Sequence, residues 1–363
     1  MNDHVHPETY LNASSLGYPD PKTIRRMIEH LTLESEIGPF RARALVEDQV
    51  SSVRHSAARL LSAHVDRIGF AATTFSAWLP IVTRLSMTGK RLLIAPHEWG
   101  DNIRALEPFA KASGATLEVL PQLDLAAPDL RAWQECIDET VAAIFVPLVT
   151  SVAGHRYPVE RIGQLQRPEE TMLIVDAAQA IGQIPVVAKD LNCNALVATT
   201  RKWVRAPRQT ALFWLDRFIV DGRAIEPAEL EPFDTNVASR LGLGIALEAA
   251  LERTIKSIQA DVAQLSQLAR TRADEQGLSV LSRIPSATGA VSLAIPKEKC
   301  EAVRTVLSDS GCVVKWPVPD VDEPYGRDAV AGHEILRITP HVYNSSDDID
   351  LVFDGLARAL KWD

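Results

Sequence analysis

"TMLIVDAAQAIGQIP", residues 171–185, runs four apolar residues straight into Asp176, and a second apolar run, "ALVATTRKW", residues 195–203, closes near Lys202. Short apolar runs that do not alternate with polar residues read as strands buried on both faces, the pattern of a parallel sheet covered by helices. A charge placed just past such a strand lies at the carboxyl edge of the sheet, where open α/β folds bind their ligands. These two segments therefore point both to a fold and to a place on it.

Five further runs of the same kind surround them: "RIGFAA" from residue 67, "RLLIAP" from 91, "TLEVLP" from 116, "VAAIFVPL" from 141 and "TALFWL" from 210. Helical stretches separate several of them, such as "NIRALEPFAKASG", which closes on Gly114 as a C-cap signal. The architecture this predicts is α/β with a mostly parallel sheet. A polar, proline-bearing link, "EPAELEPFDTN", follows at residues 226–236. Beyond it come a long helical pattern from about Leu241 to Glu275, strand-like "LSVLSR", "TGAVSLAIP", "CVVKWP" and "ILRITP", the helix "KEKCEAVRTVLSDSG", and a last helix. Ser345 with Asp348 three residues later forms a capping-box signal at that last helix. The expected organisation is an N-terminal segment (1–20), a large α/β domain (21–235) and a small C-terminal α+β domain (236–363).

Composition narrows the function. The 363 residues are 46% hydrophobic, enough for a large core, and the formal net charge of -9 comes with no basic run that would track nucleic-acid phosphates. Four scattered cysteines, Cys136, Cys193, Cys300 and Cys312, form no CxxC pair, which speaks for a reducing compartment and against a disulfide framework or a zinc site. The N-terminus lacks the basic-then-apolar order of a secretory signal, and no stretch reaches the roughly 18 apolar residues of a membrane span. The sequence reads as that of a cytoplasmic protein with no membrane, nucleic-acid or metal partner.

Asp176 and Lys202 could form an ordinary ion pair. They could also serve one ligand that has a cationic ring nitrogen for the carboxylate and an aldehyde for the amine, as pyridoxal phosphate does. Such a ligand also needs a phosphate cradle, and "FAATTFSAW", residues 70–78, sets Thr73 and Thr74 where a strand turns into a helix.

The order "ATT", "HEWGDN", "DAAQAIGQIPV", "ATTRKWVRAPR", "LRITPHVYN", with "YLNASSLG" and "EIGPF" near the N-terminus, resembles the class V aminotransferase-like family of fold-type-I pyridoxal phosphate enzymes. The likeness extends over essentially the whole chain and leans to the branch of isopenicillin N epimerase-like proteins and hercynylcysteine sulfoxide lyases. It implies pyridoxal 5'-phosphate as cofactor, a large domain followed by a small one, and a homodimer. It further implies that Lys202 forms the Schiff base and moves the Cα proton, a task that burial beside Arg201 would favour by lowering its pKa. Asp176 would face the pyridine nitrogen, Gln179 the ring hydroxyl and Trp99 the ring face. Thr73, Thr74, and Thr199 or Thr200 would hold the phosphate, with Thr235 reaching a partner subunit's phosphate. Arg337 would grip the substrate α-carboxylate, and Asn12, His341, Tyr325 and Trp316 would lie on the substrate side. Arg205 and Arg208 would line the entry or hold the loop.

Two departures stand out. After the lysine this chain has "RAPRQ", with Ala206 and Gln209, where relatives show "RGPRG". Ahead of it stands Thr200-Arg201 where many class V enzymes have Ser-x-His. Cys312 opens an apolar run, a setting that suits a buried residue better than the mobile sulfur acceptor of a cysteine desulfurase. The resemblance favours a C–S β-lyase on an S-substituted cysteine. Aminotransfer, including oxidative or decarboxylative variants, epimerisation, and a non-catalytic binding role are the alternatives.

Overall fold

The computed structural model describes residues 8–220, 222–282, 288–326 and 330–360. Residues 1–7 of the expected N-terminal segment and Arg283 of "LSVLSR" lie outside this set. The described chain opens with a short strand, β1 (Thr9–Tyr10), and three helices, α1 (Pro21–Ile37), α2 (Pro39–Leu45) and α3 (Glu47–Leu60). Helix α1 starts where it does because the Asp20 side chain accepts from Lys22 N–H and Pro21 occupies the first helical position.

The apolar runs of the first half are all strands: β2 (Ile68–Ala71), β3 (Arg91–Ile94), β4 (Thr116–Val119), β5 (Val141–Pro147), β6 (Met172–Asp176), β7 (Ala195–Thr199) and β8 (Ala211–Leu215). They make one seven-stranded sheet in the order β2-β8-β7-β6-β5-β3-β4. Only β8 runs against its neighbours, β7 and β2. The other six therefore aim their carboxyl ends at one edge. Helices α4 (Thr74–Val82), α5 (Gly100–Ser113), α6 (Arg131–Glu135) and α7 (Val159–Ile162) lie in the crossovers. Helix α5 stops on Gly114, whose φ of 69° is left-handed, as the sequence predicts.

Both faces of the sheet are covered, and one strand feeds both cores. Met172 and Ile174 of β6 pack with residues of α4 and α5, while Leu173 and Val175 pack with residues of α3 on the other side. The two-residue period then sends Asp176 to the side of α5. Each fully buried side chain of this size contributes about 2 kcal/mol. A core of such residues tolerates ending its central strands on charged and polar groups.

A small hairpin, β9 (Ile219–Val220) and β10 (Arg223–Ala224), leads to α8 (Val237–Arg253) and α9 (Ile255–Glu275). The single helix expected from about Leu241 to Glu275 is thus two. Thr254, at φ 69°, breaks the run, and its hydroxyl accepts from Ser257 N–H at 3.2 Å to cap α9. A β-branched residue in the left-handed region gives no glycine or proline signal in the sequence.

The remainder is β11 (Ser279–Val280), β12 (Val291–Pro296), α10 (Lys297–Asp309), β13 (Cys312–Val313), α11 (Pro319–Asp322), β14 (His333–Ile338) and α12 (Ser346–Ala359). Strands β11, β12 and β14 form an antiparallel sheet, and β13 pairs in parallel with β1. Leu11, next to β1, is fully buried in the core of this C-terminal layer. The capping box of α12 forms, with Ser345 N–H donating to Asp348 at 2.8 Å. No helix among the described residues is long and apolar enough to cross a membrane.

Candidate active site

A cleft of about 850 Å³ opens at the carboxyl edge of the large sheet, walled by residues just past β2, β3, β5, β6 and β7 and by Lys315, Asp322 and Arg337 from the C-terminal layer. Its size suits a small-molecule site. Asp176 and Lys202 both line it, as do Thr73, Thr74, Trp99, Gln179, Thr199 and Arg337.

Asp176 is almost fully buried. Ala178 N–H donates to its Oδ1 at 2.7 Å and Asn102 Nδ2 to its Oδ2 at 2.9 Å. Burial pushes its pKa up, against the pull of the Lys202 charge and these two donors. Asn102 comes from the first turn of α5, the side to which strand parity turns Asp176. The same Asn102 nitrogen donates to Glu98 Oε1 at 2.8 Å, and Glu98, buried beside Asp176, is pushed up to about 8 by burial and then by the Asp176 charge. Near neutral pH Glu98 therefore keeps its proton.

Lys202 stands in the turn after β7, its Nζ 5.8 Å from the centroid of the Trp99 ring. Burial and then the neighbouring Arg201 lower its pKa to about 7, with Asp176 opposing. The side chain still opens to the cleft, so the amine is both near neutrality and accessible. The N-terminal segment straps this turn down. Gly17 N–H donates to Arg201 O at 2.8 Å, Arg201 donates to Ser15 O, and Arg205 Nε donates to Tyr18 O at 2.6 Å. A Cβ on Gly17 would stand 2.1 Å from Lys202 O, so only glycine permits this approach.

Thr73 caps α4 through a reciprocal pair of hydrogen bonds with Ser76. The first-turn amides of Thr74 and Phe75 have no intrahelical acceptor, and the helix dipole adds partial positive charge there. A helix start of this kind can receive an anion. Of the two threonines at the end of β7, Thr199 lines the cleft. Thr200 is fully buried, with its hydroxyl 2.6 Å from that of Thr210, on the opposite face. In the loop that follows, Arg205 and Gln209 hold left-handed conformations at φ 62° and 60°. Gln209 thus takes up the turn although it carries a side chain, and Ala206 does not need one.

Arg337, on β14, is 3% exposed. It donates to Ser151 O and, at 3.0 Å, to Ser15 Oγ, while its Nε is buried without an acceptor among the described residues. Burial pulls its pKa down to about 10. An unsatisfied, desolvated guanidinium in a cleft wall is a ready receptor for a carboxylate.

Other expected residues fall elsewhere. His341 is buried behind the lysine turn, its Nε2 2.9 Å from Trp203 O and its ring stacked on Tyr343, and burial pulls its pKa down to about 3. Asn12 bridges to Thr339 beneath the strap; Ser14 and Ser15 reach the cleft instead. Tyr325 is exposed away from the cleft, Trp316 packs under Arg304, and Thr235 lines a separate small cavity. Arg208 lines the cleft, whereas Arg205 lies over the Tyr343 ring, 5.1 Å from its centroid. Gln179 lines the cleft with its amide engaged: Nε2 donates to Ser14 O at 3.0 Å and Oε1 accepts from Trp203 Nε1 at 2.9 Å.

The sequence reading did not single out Asn102, Glu98, Ser15, Ser151, Lys315 or Asp322. Asn102 and Glu98 stand inside the quoted "HEWGDN", where a polar residue in the first turn of an otherwise apolar helix face was the available signal.

The model of the family described as "Aminotransferase class-V" matches residues 24–217. The chain belongs to this family. Among curated proteins, the class V chain is 25% identical over 347 residues to a probable hercynylcysteine sulfoxide lyase of Mycobacterium tuberculosis, covering 91% of this chain and 85% of the relative. It is 23% identical over 352 residues to a probable cysteine desulfurase of Pyrococcus abyssi, covering 89% and 86%. Among solved structures, the apo cysteine desulfurase of Thermococcus onnurineus NA1 superposes with a TM-score of 0.85 at 19% identity, over 98% of this chain and 95% of the other, which shows the shared fold.

Class V enzymes depend on pyridoxal phosphate, and the residues present fit it. A buried carboxylate that a cationic ring would offset lies across from a near-neutral amine, a helix N-terminus offers free amides, and Trp99 supplies a flat face. This chain is a pyridoxal phosphate-dependent enzyme.

Proposed function

We propose that this class V enzyme is a C–S β-lyase acting on an S-substituted L-cysteine. The observation that carries the reading is the placement of sulfur: none of the four cysteines lines the cleft. Cys193, Cys300 and Cys312 are buried in cores, and Cys136 lies beside Arg91 at the far end of the sheet. No thiol stands ready to accept sulfur from a substrate, so a C–S bond broken here releases its sulfur with the leaving group. The likeness to the mycobacterial sulfoxide lyase supports the same choice.

Bound at Lys202, pyridoxal phosphate supplies an aldehyde for the substrate amine and an electron sink for the pair left at Cα. The protein does the rest. Arg337 takes the α-carboxylate on its free Nε edge, and Asp176, held by Asn102 and Ala178, favours a protonated ring nitrogen. Lys202 Nζ, near neutrality, takes the Cα proton and can pass it to the departing sulfur. Loss of the Cα proton and the Cβ–S bond leaves pyruvate and ammonia after hydrolysis, with a thiol or, from a sulfoxide, a sulfenate.

The reading extends to assembly and location. Helix α1 exposes Ile24, Ile28 and Leu31 along one stripe, and Phe40 is 91% exposed at the start of α2. An apolar face of this kind suits a homodimer, which sedimentation at working concentration tests, a monomer removing the idea. Four unpaired cysteines fit a reducing cytoplasm.

The decisive experiment incubates cofactor-loaded protein with S-alkyl and S-oxidised cysteines and no keto-acid acceptor. Pyruvate in step with released thiol or sulfenate establishes the lyase. A keto acid or aldehyde that retains the C–S bond removes it and favours aminotransfer or oxidation.

A further inference from the structure

Lys315 and Arg337 stand directly opposite each other in an antiparallel bridge, Arg337 N–H donating to Lys315 O at 2.7 Å and Lys315 N–H to Arg337 O at 3.2 Å. Directly opposed residues place their side chains on the same face. The flanking residues settle which face. Val314 and Trp316 on one side, and Leu336 and Ile338 on the other, pack into the core of the C-terminal layer. Lys315 and Arg337 therefore both turn to the cleft, and both line it.

Of the other cations of the cleft, Arg208 lies in the loop after the Lys202 turn, away from the wall that holds Arg337, and the rest are engaged. Arg337 and Arg201 donate to the Ser15 and Ser151 region, and Lys202 faces Trp99. Lys315 makes no side-chain hydrogen bond or ion pair among the described residues. The carboxylate in the same wall, Asp322, accepts from Val318 N–H at 2.9 Å and does not pair with it. One guanidinium suffices for the α-carboxylate. Asp322 and Glu323 offset the charge of Arg337, whereas Lys315, on the same face, has no carboxylate at ion-pair distance among the described residues and is left to meet an anion that the cleft admits.

We propose that Lys315 is a specificity-determining residue that binds a second carboxylate, carried on the sulfur substituent, so that the preferred substrates are S-(carboxyalkyl)-L-cysteines. The inference rests on the amino-acid lyase reading for its substrate frame, but binding alone tests it. The cofactor-loaded enzyme is titrated with S-(2-carboxyethyl)-L-cysteine and with its uncharged isostere, S-(2-carbamoylethyl)-L-cysteine. Dissociation constants are read from the shift of the cofactor's visible absorbance, and pyruvate is assayed in parallel.

The wild type binds the carboxylate about tenfold or more tightly than the amide, a charge-assisted contact of ordinary strength. Lys315→Met abolishes that preference while leaving affinity for the amide within about twofold, and Lys315→Arg keeps it. Equal affinity in the wild type, no shift with either ligand, or a preference that survives in Lys315→Met overturns the proposal. A preference in binding without pyruvate from either compound leaves Lys315 standing and sinks the lyase. Pyruvate from both without preference does the reverse.

Discussion

Asn102 Nδ2 lies 2.9 Å from Asp176 Oδ2, and the same nitrogen lies 2.8 Å from Glu98 Oε1. One amide, with two hydrogens, bridges two buried carboxyl groups, while burial and the Asp176 charge keep Glu98 protonated against the pull of that donor. Asn102→Ala leaves both acceptors short of a donor, at about 1–3 kcal/mol each. Cofactor affinity falls about tenfold or more, measured by absorbance titration of the apo-protein, whereas Glu98→Gln, which still can receive the Asn102 hydrogen, retains it within a few-fold.

Glu98 and Lys202 give the apo-protein opposite pH responses. Glu98 has its folded pKa raised from 4.5 to about 8. Between those values the folded state holds a proton that the unfolded chain releases, so its contribution to stability falls as pH rises. Lys202 has its folded pKa lowered from 10.5 to about 7. Over that interval the unfolded chain holds the extra proton, and stability rises with pH. Thermal unfolding of apo Glu98→Gln is therefore flatter than wild type from pH about 4.5 to about 7, and that of apo Lys202→Met is flatter from about 8 to about 10.5. Wild-type slopes in either variant would refute these assignments.

Neutral Lys202 is also the form that captures an aldehyde. The rate at which apo-protein acquires its visible cofactor band rises through pH about 7, not through the ordinary lysine range near 10.5. A stopped-flow pH series reads the midpoint directly.

Arg337→Lys keeps the charge but loses the planar fork. Its expected effect is a rise in KM for the amino acid of about tenfold to a hundredfold, with kcat changed much less, from steady-state kinetics on any substrate the wild type turns over.

Cys312→Ala is the counterpart. The residue is 7% exposed in the C-terminal core and absent from the cleft wall, so turnover stays within about twofold while stability drops by about 1 kcal/mol. Loss of turnover at unchanged fold, read by circular dichroism, would restore a desulfurase role.

The strands were legible because buried strands announce themselves as unbroken apolar runs, and Asp176 and Lys202 because each stands at or shortly after the end of such a run. Trp99 and Arg337 were read through their motifs, and both line the cleft. What failed did so for geometric reasons. Thr199 and Thr200 are adjacent, and one step along a strand reverses the face, so a motif alone does not choose between them. His341 and Asn12 sit close to the site in sequence motif but one layer behind it, under Trp203 and the strap. Lys315 and Asp322 reach the cleft only through the pairing of β1, β13 and β14, residues far apart in the chain. The break at Thr254 left no trace because threonine is not a residue that usually takes positive φ.

The strap has a consequence for biosynthesis. Leu11 finds its core, and β1 its partner Cys312, only in the C-terminal layer, while Ser15 and Gly17 fasten the Lys202 turn. Asp176 and Lys202 leave the ribosome more than a hundred residues before Cys312 and Arg337 do. The strap residues must therefore wait for the C-terminal layer. During that wait the emerging chain has its aldehyde-capturing lysine without the clamp that steadies it or the arginine that selects a substrate, so the reactive centre is completed only once the C-terminal layer has been made.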